Sequence, residues 1–84
     1  MRELTRRVGS VHNLVIFEAV ARLASFSRAA TELGLTQPAV SQAVRRLETA
    51  LGARLFQRQH RAITLTDSGA RLHADVADGF ARIL

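Results

Sequence analysis

Cysteine is absent from the 84-residue chain, and so is lysine. Without cysteine there can be no disulfide, no thiolate metal ligand and no cysteine nucleophile, and the redox compartment is left open. Long apolar runs are missing too. No stretch approaches the roughly 20 apolar residues that cross a bilayer, and Met1 to Gly9 lacks the apolar core of a signal peptide, so the chain reads as cytoplasmic with no membrane partner. The three histidines, His12, His60 and His73, stand at no metal-ligand spacing and beside no carboxylate or thiol cluster, so neither a metal nor another cofactor is expected. No nucleophile-base pair, carboxylate pair or phosphate loop occurs at useful spacing, which argues against an enzyme. Met1 and the four phenylalanines, Phe17, Phe26, Phe56 and Phe80, read as core and interface rather than base-stacking platforms, which argues against single-strand binding.

What is present is a scattered apolar fraction of 48%, enough for one small packed domain. A chain of this length buries only about 60–65% of its unfolded surface, so partners would help stabilise it. Charge is divided along the chain. Met1 to Thr66 holds ten arginines against four glutamates, a net of +6, while Asp67 to Leu84 holds two arginines against three aspartates, a net of −1. A basic body joined to a near-neutral tail suggests that one part meets a polyanion and the other meets protein. The exclusive use of arginine fits phosphate contact and bidentate guanine recognition, although genome base composition would produce the same bias.

Between Ser10 and Ala24, Leu14, Phe17 and Ala21 recur at helical spacing, and Ile16, Val20 and Leu23 widen the same face. Ser25 and Ser27 each offer a hydroxyl to cap a second helix of barely two turns, which stops at Gly34. Thr36 caps a third, where Pro38 is tolerated in the first turn; it runs to about Leu51 with Val40, Val44, Leu47 and Leu51 on one side and ends at Gly52. Its opposite side carries Gln37, Ser41, Gln42, Arg45 and, nearby, Arg46. From Leu55 to Thr66 the period moves toward two. Leu55-Phe56 and Ile63-Thr64-Leu65 would pair as a wing, Ile63 and Leu65 inward, joined by the polar segment Gln57 to Ala62. Thr66 then caps a last helix with Asp67 at its positive end.

In that last helix Leu72, Val76, Phe80 and Ile83 form an apolar stripe. The helix would extend about 27 Å to Leu84, too far to bury the whole stripe on so small a body. The stripe packs either on a partner helix or back on the first helix, and we expect the partner. No stop signal follows Ile83-Leu84, so a fragment of a longer protein is expected.

Phe26 to Leu47 meets the requirements of a helix-turn-helix: Ala30 where the backbones approach, Gly34 where the turn needs positive φ, and Leu33, Leu35, Val40 and Val44 to lock the pair. The second helix would then present its N-terminal residues to a major groove about 12 Å wide.

The chain resembles the LysR-type transcriptional regulators from Leu14 to Leu84. The resemblance is carried by Phe17-Glu18-Ala19-Val20-Ala21, Ser25-Phe26-Ser27-Arg28-Ala29-Ala30, Leu35-Thr36-Gln37-Pro38-Ala39-Val40-Ser41, Arg46-Leu47-Glu48, Leu51-Gly52-Ala53-Arg54-Leu55-Phe56-Gln57-Arg58 and Leu65-Thr66-Asp67-Ser68-Gly69. Several blocks in order are specific where a bare helix-turn-helix pattern is not. The resemblance implies a mainly α winged helix-turn-helix, three helices and a short two-stranded wing, over residues 1–66, and a linker and dimerisation helix over 67–84. It implies sequence-specific binding of double-stranded DNA at a pseudo-palindromic operator, with a recognition helix at about 37–51. Gln37, Pro38, Ser41 and Gln42 would face bases; Ser27, Arg28, Thr36, Arg45, Arg58 and Thr66 would lie near phosphates; Arg61 on the wing would enter the minor groove. Leu72, Val76, Phe80 and Ile83 would form the dimer contact. Arg is common in the family where this chain has Gln42, and Gln suits adenine rather than guanine. The family further implies homodimers or dimers of dimers, and a small-molecule effector bound by a separate domain that this chain lacks. Arg2, Arg6 and Arg7 lie in a start longer than the family pattern, read as a flexible basic arm. The competing reading is a protein-interaction adaptor on the same fold, with a basic surface that binds only non-specifically.

Overall fold

The computed structural model describes residues 11–60 and 62–83, with the backbone alone described over 80–83. Arg2, Arg6, Arg7 and Arg61 therefore lie outside the described residues. Along the chain run α1 (Val11–Leu23), α2 (Phe26–Leu33), α3 (Gln37–Leu51), β1 (Phe56–Gln59), β2 (Ala62–Leu65) and α4 (Asp67–Ile83).

The starts of α2, α3 and α4 follow one rule. A Ser or Thr hydroxyl stands just before the first turn and accepts the backbone N–H three residues on: Ser25 from Arg28 at 3.0 Å, Thr36 from Ala39 at 3.2 Å, Thr66 from Gly69 at 3.0 Å. Of the two serines offered for α2, Ser25 caps and Ser27 stays exposed, its Oγ 3.2 Å from that of Ser25. The ends differ. α2 closes on Gly34 at φ +67°, with Gly34 N–H donating to Thr31 O and Leu35 N–H to Ala30 O, the paired bonds of a left-handed helix cap. α1 has no glycine at its end, and Ala24 takes up a φ of +52° instead. A helix through Ala24, as its composition suggests, is thus one residue too long, because the chain must turn at once toward the Ser25 cap.

The core lies between α1, α2 and α3 and is closed from below by β1 and α4. Leu14, Ile16, Phe17 and Val20 of α1, Ala29 and Ala30 of α2, Val40, Val44 and Leu47 of α3, then Leu55 and Phe56 are buried. Asn13, Ala19 and Ala43 join them, whereas Ala21, Leu23 and Leu51 are only half-buried.

The last helix bears on two expectations. Leu72 is 6% exposed and Val76 fully enclosed, both within the chain's own core, so these two residues are already covered without a partner. Packing also runs across Thr66. Gly69, in the first turn of α4, lies so close to the Leu55 backbone that a Cβ there would meet Leu55 O at 2.1 Å. The reason is geometric: Gly69 lets α4 approach the loop before β1, and that approach aims Leu72 and Val76 inward. The side chains of Phe80 and Ile83 lie outside the described residues.

The wing also differs from its expected shape. β1 and β2 are antiparallel with Phe56 opposite Leu65, Gln57 opposite Thr64, Arg58 opposite Ile63 and Gln59 opposite Ala62, so the strands extend through most of the segment expected as connection. Backbone hydrogen bonding carries this pairing through side chains that are polar and exposed, which is why no alternation marks it in the sequence. His60, at φ +58°, stands at the exposed tip.

Candidate nucleic-acid interface

α3 carries its apolar residues inward, and this fixes what it shows outside. With Val40, Ala43, Val44 and Leu47 buried, Gln37, Pro38, Gln42 and Arg45 are exposed and Ser41 is half-buried on the adjoining face. Thr36, at the start of the same helix, accepts one hydrogen bond and keeps its O–H proton for an outside acceptor. The surface thus opens at the positive end of a helix dipole with amide, hydroxyl and guanidinium groups close together.

Its charge survives because the carboxylates are engaged elsewhere. Arg22 binds Glu32 through both terminal nitrogens and Glu18 through Nε at 3.2 Å. Those hydrogen bonds hold the Glu32 carboxyl below the ordinary carboxylate range and raise the Arg22 pKa, through Glu32 first and Glu18 second. Nε2 of His73 in α4 lies 3.5 Å from the Glu18 carboxylate. Glu48 accepts Leu55 N–H at 2.8 Å and lies 4.0 Å from Arg54. Among the described residues no carboxylate pairs with Arg28, Arg45, Arg46 or Arg58. Neither Arg45 nor Arg46 pairs with Glu18 or Glu48.

The period of the strand brings the wing to the same surface. Arg58 shares the inward face of β1 with Phe56, two residues before it. Its guanidinium lies over the Phe26 ring, 5.4 Å from the centroid. Phe26 meets Phe56 at 5.7 Å, and Phe56 meets Phe17 at 5.4 Å. A groove of about 490 Å³ between α3 and the wing is lined by Phe26, Ser41, Val44, Arg45, Glu48, Arg54, Phe56 and Arg58. The groove thus brings the Ser41 hydroxyl together with the guanidinium groups of Arg45, Arg54 and Arg58.

Of the expected contact residues, Gln37, Pro38, Ser41, Gln42, Thr36 and Arg45 come together on α3, Ser27 and Arg28 stand exposed at the start of α2, and Arg58 joins from β1. Thr66 does not fit a phosphate contact. Its O–H donates to Arg54 O at 2.6 Å and its N–H to Leu55 O at 3.1 Å, so both donors are spent inside the chain, and a phosphate oxygen only accepts. Three residues were not among the expected site residues: Glu48, which ties the end of α3 to the wing; Phe26, which carries Arg58; and His73, which lies against Glu18 of α1 and meets the Phe17 ring edge-on at 6.2 Å. An aromatic directly after the Ser25 cap is the one sequence signal that pointed at any of them. Among the described residues no group of three or more His, Asp or Glu is placed to hold a metal, and no helix is long and apolar enough to cross a membrane.

Comparison with known proteins agrees with this geometry. Residues 11–70 match the family model for the bacterial regulatory helix-turn-helix protein, lysR family. The HTH-type transcriptional regulator TrpI of Pseudomonas aeruginosa is 48% identical over 80 residues, 95% of this chain and 27% of that protein. The chain therefore spans about a quarter of the length of the curated relatives it matches. A crystal structure of a LysR-family transcriptional regulator from Eggerthella lenta superposes with a TM-score of 0.77 at 38% identity, covering 81% of this chain and 97% of that one. A crystal structure of a BenM DBD–catB site 1 DNA complex gives 0.84 at 28% identity, covering 88% of this chain and 82% of that one. The shared fold is the winged helix-turn-helix of LysR DNA-binding domains.

Proposed function

The chain belongs to the LysR family of bacterial regulatory helix-turn-helix proteins, and on that premise we propose that it binds double-stranded DNA sequence-specifically, α3 in a major groove and the wing at the adjacent minor groove. The observation that carries this reading is the outward face of α3, which opens at Gln37 and is flanked on two sides by arginines that pair with no carboxylate among the described residues. Gln37, Pro38, Ser41 and Gln42 face base edges, while Ser27, Arg28, Thr36, Arg45 and Arg58 meet phosphates and fix the register. Arg61 follows the wing tip into the minor groove. No catalytic step is assigned to this domain, whose relatives are regulators of transcription.

Two copies read a pseudo-palindromic operator as a homodimer, and the full-length protein works as dimers or dimers of dimers. With Leu72 and Val76 buried at home, the contact between copies falls to the part of α4 bearing Phe80 and Ile83. Residues 67–84 then serve twice, closing the core with their first half and reaching the partner with their second. A small-molecule effector acts through a region outside this chain, and the protein works in the cytoplasm, where bacterial DNA lies. Selection of bound duplexes from a random pool at moderate salt tests the reading. It predicts an enriched sequence with dyad symmetry and steep salt dependence; recovery of unenriched DNA would contradict specific recognition.

A further inference from the structure

The geometry points to Phe26 as a positioning residue that holds Arg58 in place for a DNA phosphate crossing the groove between α3 and the wing. This rests on the DNA-binding reading and adds to it a residue that touches no DNA itself. Three observations converge. The Arg58 guanidinium sits over the Phe26 ring at 5.4 Å. Phe26 is braced in turn by Phe56 at 5.7 Å, and Phe56 by the fully buried Phe17 at 5.4 Å, so the ring beneath the guanidinium is fixed to the middle of the core. The groove on which this pair opens is basic, with Arg45, Arg54 and Arg58 against the single carboxylate Glu48, which already accepts the Leu55 N–H.

The chemistry suits the role. A guanidinium carries five N–H donors, so one held over an aromatic ring at this distance keeps donors for a phosphate oxygen. An arginine on an exposed strand edge would otherwise lose much rotamer freedom on binding. Phe26 removes part of that loss beforehand, and it does so from the first turn of α2, which also exposes Ser27 and Arg28. Wing position is thereby tied to the helix-turn-helix through one aromatic chain.

The test uses the 84-residue chain and a labelled duplex of random sequence, so it reads phosphate contact apart from base recognition. Arg58→Ala is expected to lower the magnitude of the salt slope by about 0.9 per bound chain. Phe26→Leu, which keeps apolar bulk without a π face, is expected to weaken binding about two- to fivefold in the parent and not at all in the Arg58→Ala background. Phe26→Tyr, which keeps the ring, should bind as the parent does. Far-UV circular dichroism confirms that each variant is folded, and a loss arising only from the fold would persist without Arg58. Equal losses in both backgrounds, parent-like binding by Phe26→Leu, or failure of Phe26→Tyr to preserve binding overturns the assignment alone. If the parent chain does not bind the duplex even at low salt, the DNA-binding reading falls and the assignment with it.

Discussion

Replacing Gly69 with alanine should be far more damaging than a helix residue of that kind suggests. Within a helix, alanine is ordinarily favoured over glycine by about 0.5–1 kcal/mol. Here the new Cβ would stand 2.1 Å from Leu55 O, 3.0 Å from Leu55 C and 3.0 Å from Leu65 Cδ2. A carbon and a carbonyl oxygen rest no closer than about 3.3 Å, so α4 and the loop before β1 must part by about 1.2 Å. The carbonyl that blocks the methyl also accepts the Thr66 N–H at 3.1 Å, and the parting breaks that bond. Overpacking costs about 1–3 kcal/mol and a lost hydrogen bond about 0.5–1.5, which after the helix gain leaves a net loss of about 0.5–4 kcal/mol, near 2 kcal/mol at the middle of the ranges. For a domain whose whole stability is on the order of 4–12 kcal/mol, the midpoint of thermal unfolding should fall by roughly 10–20 °C. Urea unfolding followed by circular dichroism at fixed protein concentration measures the difference. Gly34→Ala is the control, because Gly34 has a φ of +67° and nothing within 4 Å of its missing Cβ. It should cost about 1–2 kcal/mol for conformation alone, and Asn should recover part of it, whereas Asn at position 69 should recover nothing. A Gly69→Ala chain as stable as the parent would refute the close approach of α4 and, with it, the inward placement of Leu72 and Val76.

Other outcomes follow from the same contacts. Ala24→Gly should stabilise the chain by up to about 1 kcal/mol in the same urea assay, since Ala24 holds a φ of +52° that glycine adopts without strain. Thr66→Val should cost about 1–2 kcal/mol by removing the α4 cap and the bond to Arg54 O, with Thr66→Ser close to the parent and the salt slope of DNA binding unchanged in both. Glu32→Gln should lower the melting temperature at pH 7 and lose that effect in acid. Arg22 holds the folded-state pKa of Glu32 below its unfolded value, so the stabilisation is present above the unfolded pKa and disappears as pH falls through the folded one. Melting curves of both chains between pH 7 and about pH 3 would show the gap closing, and a constant gap would exclude the ion pair as its cause.

Much of this fold is legible in the sequence because its signals are local. Ser25, Thr36 and Thr66 each stand before a run of helix formers, and Gly34 and Gly52 stand after one, so the three-residue reach of a cap fixes both ends. The outward face of α3 follows from its inward one: once Val40, Val44 and Leu47 are placed in the core, Gln37 and Gln42 have nowhere to go but solvent. The misses concern contacts between distant parts. Whether Leu72 and Val76 meet a partner or their own α1 depends on the distance between α4 and Leu55, set by an absent Cβ at Gly69 and not by the stripe itself. The strands of the wing reach through Gln57, Arg58 and Gln59 because backbone pairing does not read polarity. Thr66 shows why a hydroxyl at a helix start is ambiguous in sequence: it is available to a phosphate only if its proton is not already donated, and Arg54 O, twelve residues earlier, takes it. Phe26 and Arg58 are 32 positions apart, and only the superposition of β1 on α2 makes them neighbours.

The central claim is that the exposed face of α3 reads base edges. Its most direct test is a duplex selection run in parallel on the parent chain and on Gln42→Arg. Glutamine pairs with the N6 and N7 positions of adenine and arginine with the O6 and N7 positions of guanine. The variant is therefore expected to exchange adenine for guanine at one position in each half-site, with the rest of the selected sequence retained. The same selected sequence from both chains would contradict a base-reading role for this face.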